Sequence, residues 1–298
     1  MRVFVTGASG FIGSAVVPDL VNAGHEVLGL ARSDSSAEAV AAAGAEVHRG
    51  ALDDLGSLRA GATASDGVIH LAFVHDFTDY AGAARTDVSA IQALGAALEG
   101  SGRPLVVTSG TVGLTPGHAA TERDMPAPGP AGGPRAAGTL AALGLADHGV
   151  RSSVVRLPPT VHGEGDKGFV PRLIDIAREK GVSGHPGDGS SRWPAVHRLD
   201  AAPLFRLALE KAAAGTVLHA VAEEGVPVRD IAGVIGRRLD LPVASVPGEE
   251  TDEHFGWLAR FLGTDAPASS ALTRELLGWE PTGPGLLEDL GAGHYFGR

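Results

Sequence analysis

Short apolar runs of strand length alternate along most of the chain with stretches whose apolar residues recur every three to four positions. The first pattern is typical of strands buried on both faces, and the second of helices that bury one side. The predicted strands are residues 3–5, 26–31, 45–50, 67–73, 104–111, 151–157 and 217–221, and the predicted helices are residues 14–21, 36–43, 55–60, 86–98, 135–148, 169–180 and 201–211. This alternation predicts an α/β fold built on a doubly wound parallel sheet.

The first strand runs directly into a turn that carries three glycines, Gly7, Gly10 and Gly13. Gly7 can adopt the left-handed backbone angles of a tight turn, Gly10 lets the main chain approach a diphosphate, and Gly13 lets the following helix pack on the strand. Free N–H groups at the start of that helix would hold the diphosphate. We therefore predict a Rossmann-type dinucleotide site that also includes Ser9, Phe11 and Ile12, the alternative being a glycine-rich turn in an unrelated α/β protein.

The end of the second strand indicates which dinucleotide is bound. An NAD site places a carboxylate about 20 residues beyond the glycines, where it binds the ribose hydroxyls. That position falls near Ala31, and Arg32 and Ser33 follow it. A guanidinium and a hydroxyl suit a 2′-phosphate, so we predict NADP over NAD. The alternative is that Arg32 is a solvated strand-end residue, and the nearby Asp34 favours that alternative.

Two more strand ends belong to the predicted cofactor site. Leu52 and Asp53 follow the third strand, where a carboxylate can accept a hydrogen bond from the adenine amine; Asp53 could equally be the N-cap of the next helix. The fourth strand ends in Leu71, Ala72 and Phe73, which would lie over the cofactor at the carboxyl edge of the sheet.

The composition excludes several classes of protein. The chain has 298 residues, 44% of them hydrophobic, and no cysteine, so disulfides and thiolate nucleophiles are excluded. Its formal charge of −11 argues against nucleic acid or an anionic membrane as a partner. No leader precedes the first strand and no apolar run approaches about 18 residues, so we expect a cytoplasmic protein. His70, His75 and Asp76 fit no zinc-ligand spacing, and we expect no metal site.

Further motifs follow the glycine turn in order: 68–72 (VIHLA), 156–163 (RLPPTVHG), 187–189 (GDG), 193–200 (WPAVHRLD) and 273–279 (TRELLGW). With these motifs the chain resembles, over nearly its whole length, the extended and atypical short-chain dehydrogenase/reductases, the NAD(P)-dependent epimerase/dehydratase group. The resemblance implies that Pro158 and Thr160 lie beside the nicotinamide. It also implies a homodimer, in which the alanine-rich helices 86–98 and 135–148 would pair across a two-fold axis.

The active-site residues are where this sequence departs from the family it resembles. The family's reductases use a Tyr-x-x-x-Lys pair, but neither Tyr80 nor Tyr295, the chain's only tyrosines, lies four positions before a lysine. Counting back from the strand at 151–157 puts the tyrosine position near Ala131 and the lysine position near Arg135, within one helical turn. Arg135 can hold the nicotinamide ribose, but it cannot exchange protons near neutral pH.

Other residues take the remaining places of the catalytic set. Asp87 stands where the family has asparagine, since the chain's only asparagine is Asn22. The fifth strand ends in hydroxyls, with Thr108 beside the cofactor and either Ser109 or Thr111 as the family's active-site hydroxyl. The predicted substrate contacts, for which packing or a cofactor contact is the alternative, are Tyr80, His162, Trp193 and His197.

We expect two lobes, a dinucleotide-binding lobe of residues 1–157 with 195–221 and a smaller substrate-binding lobe of residues 158–194 with 222–298. The segment 116–134 is dense in proline, glycine and alanine and predicts a loop that can act as a mobile lid.

The predicted function is that of an NADP-dependent oxidoreductase or epimerase, acting on a small carbonyl or alcohol substrate without a tyrosine proton donor. The alternative is a protein of this fold that binds NAD(P) without net redox chemistry: a regulator, a lyase or a cyclase.

Overall fold

Strands and helices alternate along the chain in a computed structural model that describes residues 1–75, 79–114, 118–126, 133 and 135–297. The strands are β1 (Arg2–Thr6), β2 (Glu26–Ala31), β3 (Glu46–Arg49), β4 (Gly67–His70), β5 (Pro104–Gly110), β6 (Arg151–Leu157), β7 (Thr160–His162), β8 (Ser183–Pro186), β9 (Arg192–His197), β10 (Thr216–His219), β11 (Glu223–Pro227) and β12 (Val243–Val246). The helices are α1 (Gly13–Asn22), α2 (Asp34–Ala42), α3 (Leu55–Thr63), α4 (Tyr80–Leu98), α5 (Ala136–Gly144), α6 (Phe169–Lys180), α7 (Arg198–Lys211), α8 (Val228–Leu239), α9 (Thr251–Phe255), α10 (Ala259–Leu262), α11 (Ala271–Leu277) and α12 (Leu286–Gly291).

A seven-stranded parallel sheet lies at the centre, in the order β10-β6-β5-β4-β1-β2-β3. One apolar cluster fills the space between the sheet and α1, α2 and α7, and another lies between the sheet and α3, α4 and α5. The strand order reverses between β1 and β4, and sheets of this kind bind ligands at the carboxyl ends of the strands beside the reversal. The predicted Rossmann-type α/β fold is therefore confirmed.

A smaller region follows β6. It contains a three-stranded sheet of β7, β9 and β11 and a pair formed by β8 and β12. Its own apolar cluster includes Trp193 and Ala195 of β9, whereas the adjacent Val196 packs in the cluster beneath the central sheet. β9 thus lies between the two clusters, and its neighbouring side chains pack on opposite sides. The predicted lobe boundary at residue 195 falls inside this strand.

Several predicted element boundaries are wrong. β4 ends at His70 instead of residue 73. α4 begins at Tyr80 instead of residue 86, because Asp79 caps the helix by accepting the N–H of Gly82 at 2.9 Å. The helix predicted at 135–148 ends at Gly144 and continues as a 3-10 turn.

Two strands of the structure, β7 and β8, lie where the sequence predicts no strand. Their partners, β9 and β12, come much later in the chain. Pairing between strands so far apart along the chain cannot be read from the residues of either short segment alone. None of the described helices has both the length and the apolar character that a bilayer crossing needs.

Candidate active site

The glycine turn between β1 and α1 lies against the end of β4. Gly7 has a φ of +69°, and a Cβ there would lie 2.8 Å from the backbone nitrogen of Ala72. The amide of Leu71 donates to the Thr6 carbonyl at 3.2 Å. A Cβ on Gly13 would overlap the carbonyl oxygen of Gly7. The structure thus brings the predicted glycine turn and the predicted strand end together through backbone contacts that exclude side chains.

The exposed side of the same turn has the character of an anion site. Ser9 and Gly10 are exposed, and the amides of Phe11 and Ile12 donate to no backbone acceptor among the described residues. Arg198 adds positive charge here, since its guanidinium lies 5.3 Å from the centre of the Phe11 ring. N–H groups at a helix start with an arginine beside them fit a diphosphate.

A buried hydrogen-bonded chain supports the end of β4. Thr6 Oγ1 lies 2.7 Å from His70 Nδ1, and His70 Nε2 lies 3.2 Å from Asp87 Oδ1, with all three residues buried. A carboxylate oxygen accepts, so Nε2–H donates to Asp87 and Nδ1 shares the hydrogen bond with the Thr6 hydroxyl. Asp87, predicted as a replacement for the family's asparagine, therefore holds His70 in place. The amide of Ala72 donates to Thr6 Oγ1 at 3.2 Å, which extends the chain to the cofactor edge.

The end of β5 carries the predicted catalytic hydroxyl. Ser109 Oγ lies 2.7 Å from Thr139 Oγ1 of α5, and both side chains are buried. Arg135, four residues before Thr139, donates from Nη2 to the Thr108 carbonyl at 2.6 Å. Its guanidinium lies 3.9 Å above the Phe73 ring. Sequence reasoning missed Thr139, whose only signal is its place one turn after Arg135. Ala131, near the position of the family's tyrosine, lies outside the described residues.

Three polar atoms at this edge are buried without a hydrogen-bond partner among the described residues: Thr108 Oγ1, Thr111 Oγ1 and Arg135 Nε. Buried polar groups nearly always have a partner, and each one left without costs about 1–3 kcal/mol. Such atoms at the carboxyl edge of a Rossmann-type sheet indicate where a polar ligand binds.

Aromatic rings extend the site from Phe73. The rings of Tyr80 and His75 meet Phe73 edge-on, with centroid distances of 5.6 and 5.2 Å. Burial raises the pKa of Tyr80, and the positive charge of Arg135 opposes that shift. Tyr80 is therefore a neutral phenol at neutral pH and a weak acid. Asp76 lies outside the described residues.

The predicted ribose site follows β2. Arg32 is exposed and pairs with no described residue, and Ser33 caps α2 by accepting an amide of its first turn at 3.2 Å. Asp34 pairs with Arg49 at 2.7 Å. Arg49 stands opposite Ala31 in the register of β2 and β3, and sequence reasoning missed it because that register is not visible in the chain. The carboxylate that disfavours a 2′-phosphate is thus paired with a second guanidinium at the surface.

Leu52 and Asp53, the predicted adenine contacts, line an open cavity of about 450 Å³ together with Arg85 and Thr86 of α4. The alternative role of Asp53 as a helix cap is wrong. Asp54 caps α3 instead, accepting a first-turn amide at 3.0 Å, and the Asp53 side chain is exposed at the cavity.

The described part of the predicted lid, residues 118–126, is fastened to the rest of the protein. Ala120 donates its amide to the Pro267 carbonyl at 2.8 Å and accepts from the Ser269 amide at 2.8 Å. Buried Arg156 donates to the Asp124 carbonyl at 2.7 Å. These contacts fix residues 118–126 to their neighbours, whereas residues 116, 117, 127–132 and 134 of the predicted lid lie outside the described residues.

Two predicted contacts near β9 have other partners. Trp193 is buried and donates its indole N–H to the Phe261 carbonyl at 3.0 Å, so it packs in the smaller region and does not face a cleft. Thr160 donates its hydroxyl to the Pro194 carbonyl at 2.5 Å, which joins β7 to β9. Pro158 is buried at the end of β6.

His162 and His197, the other predicted substrate contacts, are buried next to each other. Their rings meet at a centroid distance of 5.3 Å, and His162 Nδ1 lies 2.9 Å from Asp289 Oδ2. Burial and the neighbouring His162 lower the pKa of His197. Asp289 was not predicted, and nothing in its sequence surroundings points to this contact.

Known proteins resemble this chain in sequence and in fold. A model of the NAD dependent epimerase/dehydratase family matches residues 3–221. An uncharacterised protein of Schizosaccharomyces pombe is 53% identical over 99% of this chain and 100% of its own length. A 4-hydroxy-2-methyl-3-oxo-4-farnesyl-3,4-dihydroquinoline-1-oxide ketoreductase of Stigmatella aurantiaca is 31% identical over 60% of this chain and 56% of its own. The crystal structure of a dTDP-glucose 4,6-dehydratase of Streptomyces venezuelae with NAD bound is similar with a TM-score of 0.78 and 21% identity, covering 99% of this chain and 96% of that one.

Proposed function

Because the chain belongs to the NAD dependent epimerase/dehydratase family, we propose that it is an NADP-dependent oxidoreductase of the short-chain dehydrogenase type that acts on a small carbonyl or alcohol. The observation that carries the proposal is the meeting of the glycine turn, the end of β4 and the Ser109 hydroxyl at one edge of the sheet. The Stigmatella relative, a ketoreductase by name, supports carbonyl reduction.

The proposed chemistry uses a hydroxyl pair and a cation in place of tyrosine and lysine. NADPH, when bound, supplies the hydride to the carbonyl carbon. The Ser109 hydroxyl donates to the carbonyl oxygen while it accepts from Thr139, and the fixed charge of Arg135 stabilises the negative charge that develops there. Arg135 cannot release a proton near pH 7, so water delivers the final proton. A step without a positioned acid loses about 10²–10⁴-fold in rate, and we expect slow turnover or activated substrates.

The preference for NADP is proposed from Arg32 and Arg49. Arg32 has no partner among the described residues, and Arg49 binds Asp34, the nearby carboxylate that would repel a phosphate. A charge-assisted contact with a phosphate contributes about 1.5–3 kcal/mol, or roughly tenfold or more in affinity. Titration of Arg32→Ala with NADPH and NADH tests this, with exposed Arg59→Ala as the matched control. If the ratio of the two affinities is unchanged in Arg32→Ala, the proposed phosphate site is wrong.

The reaction itself is tested with NADPH and a panel of aldehydes and ketones, while the absorbance of the reduced nicotinamide is followed. We expect Ser109→Ala with Thr111→Ala to lower kcat at least tenfold without weakening NADPH binding, whereas exposed Thr264→Ala should behave as wild type. A reductase activity that survives the double change would show that the oxyanion site lies elsewhere.

A second candidate function is cofactor binding without net redox chemistry, as in a regulator, a lyase or a cyclase. It is favoured by the weak acidity of the groups that the described residues place at this edge, since burial raises the pKa of Tyr80 and arginine holds its proton. Stoichiometric NADPH binding with no turnover of any carbonyl in the panel would select it.

We also propose a homodimer built on α4 and α5. The outer side of α5 is made of exposed Ala137, Leu140 and Gly144, and Leu140 is 43% exposed. Small residues let two helices approach closely, and a leucine between them supplies apolar contact. Light scattering at micromolar concentration should give a dimer mass for the wild type and a monomer mass for Leu140→Glu. A monomeric wild type would contradict the proposal.

A further inference from the structure

Three buried side chains with metal-binding atoms meet where the smaller region joins the central sheet. His162 ends β7, His197 ends β9 and Asp289 lies in α12, so three distant segments supply them. Each residue offers one atom, an imidazole nitrogen or a carboxylate oxygen, and these atoms all lie within 4.8 Å of one another. The exposed fractions are 1% for His162, 9% for His197 and 6% for Asp289.

The hydrogen bonding of this group is incomplete. His162 Nδ1 lies 2.9 Å from Asp289 Oδ2, but His162 Nε2 is buried and has no hydrogen-bond partner among the described residues. A buried imidazole nitrogen without a partner costs free energy. A cation held between the ring of His162 and Asp289 would give a buried imidazole and a buried carboxylate a shared partner.

We propose that His162, His197 and Asp289 form a binding site for a divalent transition-metal ion, with Zn²⁺ as the first candidate. Two imidazoles and one carboxylate are ligands that zinc and other divalent transition metals accept, and they differ from the all-oxygen shell of calcium and magnesium. A third imidazole stands at the edge of the group, with His294 Nε2 3.8 Å from Asp289 Oδ1. His294 lies outside the group of three and would have to move closer to complete a four-coordinate shell.

The position of the group suggests what the ion does. Near-complete burial leaves no open side for a substrate, which is the character of a structural site and not a catalytic one. An ion held by β7, β9 and α12 would fasten the C-terminal helix to the strands that leave the central sheet. Because such an ion binds the folded chain only, it raises the unfolding temperature in proportion to the logarithm of its concentration.

The test uses the full chain, purified without an affinity tag and without chelator. We expect close to one Zn²⁺ per chain after dialysis against Zn²⁺ and then metal-free buffer, an absorption spectrum typical of tetrahedral coordination with Co²⁺, and an unfolding temperature several degrees lower in EDTA. His162→Gln and Asp289→Asn should each lose the ion. The exposed histidine variant His148→Gln is the matched control and should keep it.

The proposal is overturned if the wild type retains less than about a tenth of an ion and gives no Co²⁺ spectrum, since one site per chain follows directly from it. It is also overturned if His162→Gln and Asp289→Asn bind metal as the wild type does. Should either variant fail to fold, the wild-type metal content and Co²⁺ spectrum still decide. None of these readouts depends on the proposed reductase activity.

Discussion

Adding one methyl group at either of two glycines of the first turn should separate cofactor binding from folding. A Cβ on Gly10 meets only the Gly7 carbonyl oxygen, at 3.1 Å, and Gly10 does not have a positive φ. A Cβ on Gly13 would overlap that same oxygen and lie 2.6 Å from the carbonyl oxygen of Ala8. The first contact needs a shift of a few tenths of an ångström, whereas the second needs α1 to move away from the turn.

The expected magnitudes follow from these contacts. Gly10→Ala should change the free energy of unfolding by less than about 1 kcal/mol, because one neighbour has to give slightly. Its methyl group stands where a diphosphate would approach the amides of Phe11 and Ile12. Loss of one charge-assisted hydrogen bond, about 1.5–3 kcal/mol, weakens NADPH binding roughly 10–100-fold. Gly13→Ala should cost about 3 kcal/mol or more of folding free energy.

Denaturant unfolding and NADPH fluorescence titration measure the two effects separately. Gly248→Ala is the control, since a Cβ there meets nothing within 4 Å, and it should match the wild type in both assays. A folded Gly10→Ala variant that binds NADPH as tightly as the wild type would refute the placement of the diphosphate on this turn.

Two further predictions concern buried charges. Burial raises the pKa of Asp166 from 3.8 to about 6. Between pH 3.8 and pH 6 the folded state therefore binds more protons than the unfolded state, and the stability that this carboxyl contributes is lost as the pH rises towards 6. The stability of the wild type relative to Asp166→Asn should therefore fall by about 1–2 kcal/mol between pH 4 and pH 8; a difference that stays constant in denaturant unfolding over this range would contradict this. Arg156 donates to the Asp124 carbonyl and contacts His219 Nε2 at 3.2 Å, and burial lowers its pKa to about 10. Arg156→Met should cost about 2–3 kcal/mol and speed proteolytic cutting within residues 118–126, and a variant cut no faster than the wild type would show that other contacts hold that segment.

The sequence predicts local structure well in this protein because its early strands and helices are regular. The apolar run before the glycines and the glycine spacing suffice to predict β1, the turn and α1. They also predict its approach to the end of β4, since parallel strands share their carboxyl edge. The hydroxyl at Ser109 is predictable for the same reason.

Contacts set by tertiary packing could not be predicted in this way. Thr139 contacts Ser109 because of its position on α5, and Arg49 contacts Asp34 because of the register of β2 and β3. Neither the helix position nor the register can be read from the sequence. Trp193, which follows the GDG motif at 187–189, is predicted as a substrate contact, yet it packs inside the smaller region because β9 pairs with strands distant in sequence. Asp289 meets His162 through packing of α12, which no spacing rule reveals.

Hydride transfer from the cofactor can be followed with NADPH that carries deuterium at both C4 positions, incubated with a carbonyl substrate. We expect mass spectrometry to find one deuterium on the carbinol carbon of the product alcohol. Ser109→Ala should slow this transfer at least tenfold with NADPH affinity unchanged. Tight NADPH binding with no deuterium in any product across the aldehyde and ketone panel would show that the protein is not a carbonyl reductase.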